Sequence, residues 1–241
     1  LAKKVVLASG KGGVGKSTLT AGLSGALAGM GKKVLAVDFD IGLRSLDLIL
    51  GVREQVVFDW GDLVLNRCEP RQAMIKTPGG PVFIAAPLSF NRAYNFRNIR
   101  ELLKSFDDYF DYIFIDSPAG VSRGFRLAAC AADNGLIVAT PDEVCVHSGS
   151  IAADEMIDMG IENPRLVINR FNKKAVFKGR LLNIDDVIDA AGVQLIGVMP
   201  EDDELSYLAG TGQPFPKDTP SAFAFKRIGR RLEGENLPLK L

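Results

Sequence analysis

Cysteine is scarce in this chain, and Cys68, Cys130 and Cys145 lie far apart with no Cys-x-x-Cys pair among them. That argues against a disulfide framework and a zinc site, and leaves buried structural thiols as the expectation. An iron–sulfur carrier would also need paired cysteines, and none are present. Histidine occurs once, at His147, which reads as a surface or helix-start residue rather than a catalyst. Excess charge of either sign is missing too: Lys and Arg together number 29, and so do Asp and Glu. No global positive field draws the chain toward nucleic acid or anionic lipid, although a local basic patch is compatible with this balance. No apolar run reaches the ~18 residues of a membrane span. The apolar residues 5–8, after Lys3 and Lys4, are too short for a signal-peptide core. A cytoplasmic location is therefore expected, and Leu1 in place of an initiating Met suggests trimming or an unusual start. Repeats, low-complexity segments and Pro/Ser-rich linkers are absent as well, so one domain over residues 1–241 is the economical reading.

The 241 residues are 47% hydrophobic and 24% charged, enough apolar material for a sizeable core. Short β-branched apolar runs recur at residues 5–7, 34–37, 82–84, 112–115, 136–138, 166–168 and 195–196. These predict buried strands. Helical patterns lie between them at residues 17–30, 99–110, 124–132, 148–159, 184–191 and 222–232. The alternation predicts an α/β fold: a mostly parallel, doubly wound sheet with helices on both faces. Ligands in such sheets sit at the carboxyl ends of the strands, so the residues just after each apolar run carry the chemistry.

The first strand is followed by Gly10-Lys11-Gly12-Gly13-Val14-Gly15-Lys16-Ser17, then Thr18 and a helix. This fits G-x-x-x-x-G-K-[ST] in strand, loop and helix context, the signature of a P-loop NTPase. Glycine permits positive φ and brings backbone N–H groups close to an anion, and the helix that follows adds its positive end. Residues 10–18 are thus candidate contacts of a magnesium–nucleoside triphosphate. Lys16 would reach the β and γ phosphates, and the Ser17 hydroxyl would ligate Mg²⁺.

Carboxylates complete the candidate site. Asp38 and Asp40 follow the second strand, and Asp116 follows Tyr112-Ile113-Phe114-Ile115. An Asp at such a strand end is placed to hold the metal through water, which makes Asp38 and Asp116 candidate metal residues with Ser17. Phosphoryl transfer depends on positioning and electrostatics, and Asp40 is the candidate for orienting the attacking water, with Lys11 and Lys16 supplying charge. Ser117-Pro118-Ala119-Gly120, next to the metal, is placed to respond to loss of the γ phosphate. Asn169-Arg170-Phe171-Asn172 lacks the Asn-Lys-x-Asp pattern of many GTPases, so ATP is the expected nucleotide.

With its second lysine at Lys11, the loop resembles the deviant Walker A signature of the MinD/ParA ATPase family. Further motifs are similar to MinD members of that family: Val37-Asp38-Phe39-Asp40-Ile41-Gly42-Leu43-Arg44-Ser45-Leu46-Asp47, Ile115-Asp116-Ser117-Pro118-Ala119-Gly120, Ile168-Asn169-Arg170 and Gly197-Val198-Met199-Pro200-Glu201-Asp202. They run in order over almost the entire chain. The resemblance implies an ATP-dependent homodimer in which Lys11 acts on the phosphates held by the second subunit. Such a finger contributes roughly 10³ to 10⁵ in rate, about 4 to 7 kcal/mol. It also implies that Asn169, Arg170, Pro200, Glu201 and Asp202 surround the adenine. The implied activity is ATP hydrolysis as a spatial switch in division-site placement, with an activator or inhibitor protein as partner. A DNA-partition ATPase of ParA type and a flagellar-number regulator are the alternatives, although the balanced charge makes nucleic acid an unfavoured partner.

The chain departs from the family's pattern at two places. Val121 is followed by Ser122 and Arg123 where an acidic residue is usual, and Val146-His147-Ser148 stands where an Arg-Asp pair is usual. Near the carboxyl end, Phe225, Ile228 and Leu232 form an apolar stripe opposite Lys226, Arg227, Arg230 and Arg231. The stripe suits either core packing or peripheral contact with the inner face of a membrane. Residues 235–241, containing Pro238, would make barely two helical turns, so a separate anchor is expected to be absent or weak.

Overall fold

The computed structural model describes residues 1–239; Lys240 and Leu241 of the expected tail lie outside the described residues. The glycine loop stands between β1 (Lys3–Ala8) and α1 (Lys16–Gly29), and β2 (Val34–Asp38) follows. Next come α2 (Leu46–Ile49), α3 (Trp60–Val64), α4 (Pro70–Ala73), β3 (Ile75–Lys76), β4 (Val82–Ile84), α5 (Phe96–Lys104) and β5 (Tyr112–Asp116). The second half runs through α6 (Arg123–Ala129), β6 (Asn134–Ala139), α7 (Glu143–Asp158), β7 (Arg165–Phe171), α8 (Lys173–Phe177) and α9 (Ile184–Ala191). It ends with β8 (Leu195–Pro200), α10 (Asp203–Thr211) and α11 (Pro220–Leu232).

The strands form one sheet in the order β3-β4-β2-β5-β1-β6-β7-β8. Only β3, a two-residue edge strand, runs antiparallel to its neighbour. Side chains alternate between two apolar layers, as the two-residue period of a strand requires. Val6, Ala8, Val37, Ile113 and Ile115 pack on one face with Ile99, Phe125 and Met156. Val5, Leu7, Val34, Tyr112 and Phe114 pack on the other with Leu19, Leu23 and Phe225. Because both faces are covered, the strands read as continuous apolar runs. Register then aligns the functional ends: Asp116 on β5 lies beside Asp38 on β2 and Leu7 on β1.

Several boundaries differ from the sequence expectation for local reasons. The helix expected at residues 99–110 starts at Phe96, because the Asn95 side chain caps it by accepting from the Asn98 N–H at 3.0 Å. The helix expected at 148–159 starts at Glu143, capped by Asp142 through the Cys145 N–H at 3.0 Å. His147 is thus an exposed residue of the second turn. The short helices α2, α3, α4 and α8 were not expected, since four or five residues carry too little periodicity, and α10 was not expected either. Cys145 is buried, whereas Cys68 and Cys130 are only half-buried, and all three are free.

The carboxyl-terminal stripe is a packing face. Phe225 and Ile228 are buried against glycines of α1 and β8: a Cβ on Gly22 would fall 2.2 Å from the Phe225 ring, and one on Gly197 2.3 Å from Ile228. Arg231 on the same helix donates to the Ile196 carbonyl at 2.7 Å, so part of the basic side is committed as well. Among the described residues no helix is long and apolar enough to cross a membrane.

Candidate active site

The loop between β1 and α1 folds as its glycines dictate. Gly13 and Gly15 have φ of +79° and +92°, a region costly for any residue with a Cβ. Gly15 is the N-cap of α1. A Cβ on Gly12 or Gly13 would meet nothing within 4 Å, so this part of the loop opens onto free space. The other two glycines serve packing. A Cβ on Gly10 would lie 2.0 Å from the Ser148 carbonyl oxygen, so the loop rests directly on α7. A Cβ on Gly15 would lie 2.3 Å from Asn169 Nδ2.

The two lysines of the loop have opposite surroundings. Lys11 is exposed. Burial pushes the Asp142 carboxyl up, but hydrogen bonds from Thr140 and Cys145, with a last contribution from the Lys11 charge, hold it below the usual range. Lys16 is buried, and its Nζ lies 3.0 Å from Asp116 Oδ1. Thr20, one helical turn after Lys16, donates to the same oxygen at 3.2 Å. Asp116 Oδ2 is buried without a hydrogen-bond partner. A buried carboxylate oxygen left unpaired is costly, and a cation or a water held by one would satisfy it.

Asp38 is treated differently. Its Oδ1 accepts from the Asp40 N–H at 2.8 Å and its Oδ2 from the Leu46 N–H at 3.1 Å, so both oxygens hold the ends of the loop between β2 and α2. Burial, then the nearby charge of Asp116, pushes its carboxyl up to about 8 against the pull of those two amides. Asp40 is half-buried, and burial raises its carboxyl also; Lys16 opposes this and Asp116 adds to it. Ser17 is half-buried, and its hydroxyl accepts from Ser45 Oγ at 3.1 Å. In the segment read as a switch, Ser117 Oγ donates to the Leu7 carbonyl at 2.7 Å and the Gly120 N–H to the Ser9 carbonyl at 2.8 Å, which ties 117–120 to β1 and the start of the glycine loop. Just beyond this segment, Arg123 places its guanidinium 4.6 Å from the centre of the Phe90 ring.

A cavity of about 230 Å³ adjoins the loop, and Gly15, Thr18, Asn169, Arg170, Pro200, Glu201 and Asp202 all line it. Asn169 reaches it from β7 and donates to the Val14 carbonyl at 2.7 Å; Arg170, with φ +53°, turns the chain there. Glu201 accepts from Asn172 at 2.5 Å. Asp202 caps α10 through Leu205 N–H at 2.9 Å and accepts from Ser221 at 2.6 Å, so its carboxylate shapes the wall of the cavity. Sequence reasoning missed Met199, Leu205 and Phe225 on the apolar side of this cavity. It also missed Thr20 and Ser45. Thr20 carried a signal, since it lies four residues after Lys16 on the same helix face; Ser45 carried none.

These residues fit a magnesium–nucleotide in their donor chemistry. Among the described residues no three acidic, histidine or cysteine side chains form a self-contained metal cage. That suits Mg²⁺, which keeps waters and takes phosphate oxygens beside one or two protein ligands.

Residues 5–215 match the family described as the CobQ/CobB/MinD/ParA nucleotide binding domain. The septum site-determining protein MinD of Helicobacter pylori is 40% identical over 97% of this chain and 91% of its own length. Among solved structures, the MinC:MinD cell division protein complex of Aquifex aeolicus superposes with a TM-score of 0.92 at 33% identity, covering 100% of this chain and 99% of that one. MinD of Pyrococcus horikoshii complexed with Mg-ADP gives 0.86 at 26% identity, covering 97% and 96%. A doubly wound sheet, an open glycine cradle over a buried Lys–Asp pair, and relatives alike from end to end agree: the chain belongs to the MinD/ParA family of nucleotide-binding P-loop ATPases.

Proposed function

We propose that the protein is a MinD-type spatial switch in division-site placement, which hydrolyses ATP to ADP and phosphate as a dimer of two identical chains. The observation that carries this reading is the open cradle at Gly12 and Gly13 set above Lys16, Asp116 and the unpartnered Asp116 Oδ2. Backbone amides of residues 12–17 and the Lys16 ammonium bind the phosphates at the positive end of α1. Ser17 and Asp116, with Asp38 as the other expected metal residue, would hold Mg²⁺, which when bound neutralises charge on the phosphate oxygens. Asp38 keeps the loop after β2 in place beside them. Asp40 orients the attacking water. The adenine enters the cavity between Asn169 and Pro200. Lys11, exposed at the loop surface, reaches the phosphates of a second copy. The fold it shares with the Aquifex aeolicus MinC:MinD complex supports a division-inhibitor protein as a further partner.

Size-exclusion chromatography of an Asp40→Ala variant tests the reading. It is expected to elute as a dimer with Mg·ATP and as a monomer with ADP, and to stay monomeric with ATP when Lys11 is also replaced by Ala. A monomer in every condition would reject the sandwich. Calorimetry with Mg·ATP that shows no more heat for the parent than for Lys16→Ala would reject the site itself.

A further inference from the structure

Ser45 occupies the N-cap of α2, where a serine hydroxyl ordinarily accepts an N–H of the first turn. It makes no such bond, and its backbone is helical, with φ −94° and ψ −24°. The cap is supplied from another strand: the Leu46 N–H, first of the helix, is taken by Asp38 Oδ2 at 3.1 Å. The Ser45 hydroxyl is thereby free for a different task, and it points at Ser17 Oγ, 3.1 Å away and 28 residues distant in sequence. The loop that carries it is held at both ends by one carboxylate, because Asp38 Oδ1 takes the Asp40 N–H. Inside the loop the Arg44 N–H donates to the Asp40 carbonyl at 3.1 Å, and Arg44 adopts φ +50°, an uncommon conformation for a residue with a side chain. Latch and strain together aim one hydroxyl at another.

We infer that Ser45 is a positioning residue for the metal: its hydroxyl fixes the orientation of the Ser17 hydroxyl so that one lone pair of Ser17 Oγ faces the cation. The inference rests on the proposed role of Ser17. A serine oxygen has two lone pairs and one proton. The bond from Ser45 occupies one lone pair, which leaves the other for a metal and the Ser17 proton for a neighbouring acceptor. Groups that orient a metal ligand in this way change metal affinity by about 10- to 100-fold when removed.

The chain's only tryptophan provides a built-in reading of this loop. Trp60 is buried, its Nε1 donates to the Asp38 carbonyl at 2.8 Å, and its ring stacks on Phe39 at 4.9 Å. Magnesium is therefore titrated into the full chain saturated with ADP, for the parent, Ser45→Thr and Ser45→Val, with Trp60 emission as readout, and ADP affinity is measured separately with and without magnesium. Thr and Val have the same shape and differ in the hydroxyl, so a packing fault affects both. The midpoint in magnesium is expected to rise about 10- to 100-fold in Ser45→Val and to stay within about threefold of the parent in Ser45→Thr. Equal midpoints in all three proteins would overturn the role of Ser45 while leaving the metal reading intact, as would equal shifts in Val and Thr. A parent whose ADP affinity ignores magnesium would overturn both.

Discussion

The ends of β2 and β5 each present an aspartate to the same few ångströms of space, and the fold uses them in opposite ways. Asp116 has one oxygen on Lys16 and Thr20 and the other on nothing. Asp38 has both oxygens on backbone N–H groups of its own loop. Sequence position alone makes them twins, each the first residue after a buried apolar run. What separates them is the segment that follows. After Asp116 the chain turns back through Ser117 to hydrogen-bond β1, leaving its carboxylate facing the glycine loop. After Asp38 it makes a loop whose Asp40 and Leu46 amides point back at the Asp38 carboxylate. One carboxylate thus keeps an oxygen without a protein hydrogen-bond partner, and the other has both oxygens engaged by the chain.

Removing Asp116 should separate the two most sharply. Asp116→Ala leaves the Lys16 ammonium buried without its partner, and breaking such a pair from one side costs about 3–5 kcal/mol. Chemical denaturation without nucleotide is expected to show a loss of that order, and ATP hydrolysis should fall by about 10² or more because a preorganised charge has gone. Parent-like stability would mean that Lys16 finds solvent easily and that the pair at β5 is no more committed than an exposed one.

Asp38→Asn should have a smaller effect with a distinct dependence on pH. An amide accepts through Oδ1 but presents N–H to the other backbone donor, so one end of the loop loses its acceptor at a cost of about 1–3 kcal/mol. The parent carboxyl is raised to about 8 in the fold and lies near 3.9 when unfolded. Between those values the native state binds more protons than the unfolded one, so this group's contribution to stability falls as pH rises through the window and levels off above about 8. The variant lacks that slope. The stability gap between parent and Asp38→Asn should therefore narrow from pH 5 to pH 9 in denaturation without metal or nucleotide. A constant gap would show that Asp38 is ionised throughout the window.

The same contrast marks how far the sequence could be read. The glycine loop, the strand ends and the alternation of strands with helices were legible because each rests on a local rule: a turn only glycine tolerates, a buried run, a following helix. Asn169 and Pro200 were placed near the base only through family likeness, and the cavity joins them because β7 and β8 are neighbours. Asp38 as a latch, Ser45 as its outcome and Gly10 as a seat for α7 were not legible, since each depends on a partner brought close by the fold. The carboxyl-terminal stripe shows the same limit. Its pattern suited core packing or a membrane face, and Gly22 and Gly197, far away in sequence, seat Phe225 and Ile228 in the core.

Thr20→Val should have the smallest effect and fixes the β5 end of the comparison. The Thr20 hydroxyl is fully buried and shares its proton between the Lys16 carbonyl at 3.1 Å and Asp116 Oδ1 at 3.2 Å. Valine keeps the volume, and Asp116 Oδ1 keeps Lys16, so the loss should be about 1 kcal/mol, with Thr20→Ser restoring most of it. Hydrolysis should stay within about threefold of the parent, an activation difference under 1 kcal/mol. If the valine variant instead lost as much activity as Asp116→Ala, Thr20 rather than Lys16 would be the group that holds the carboxylate in register, and the free oxygen at β5 would owe its direction to the second turn of α1 rather than to the ion pair.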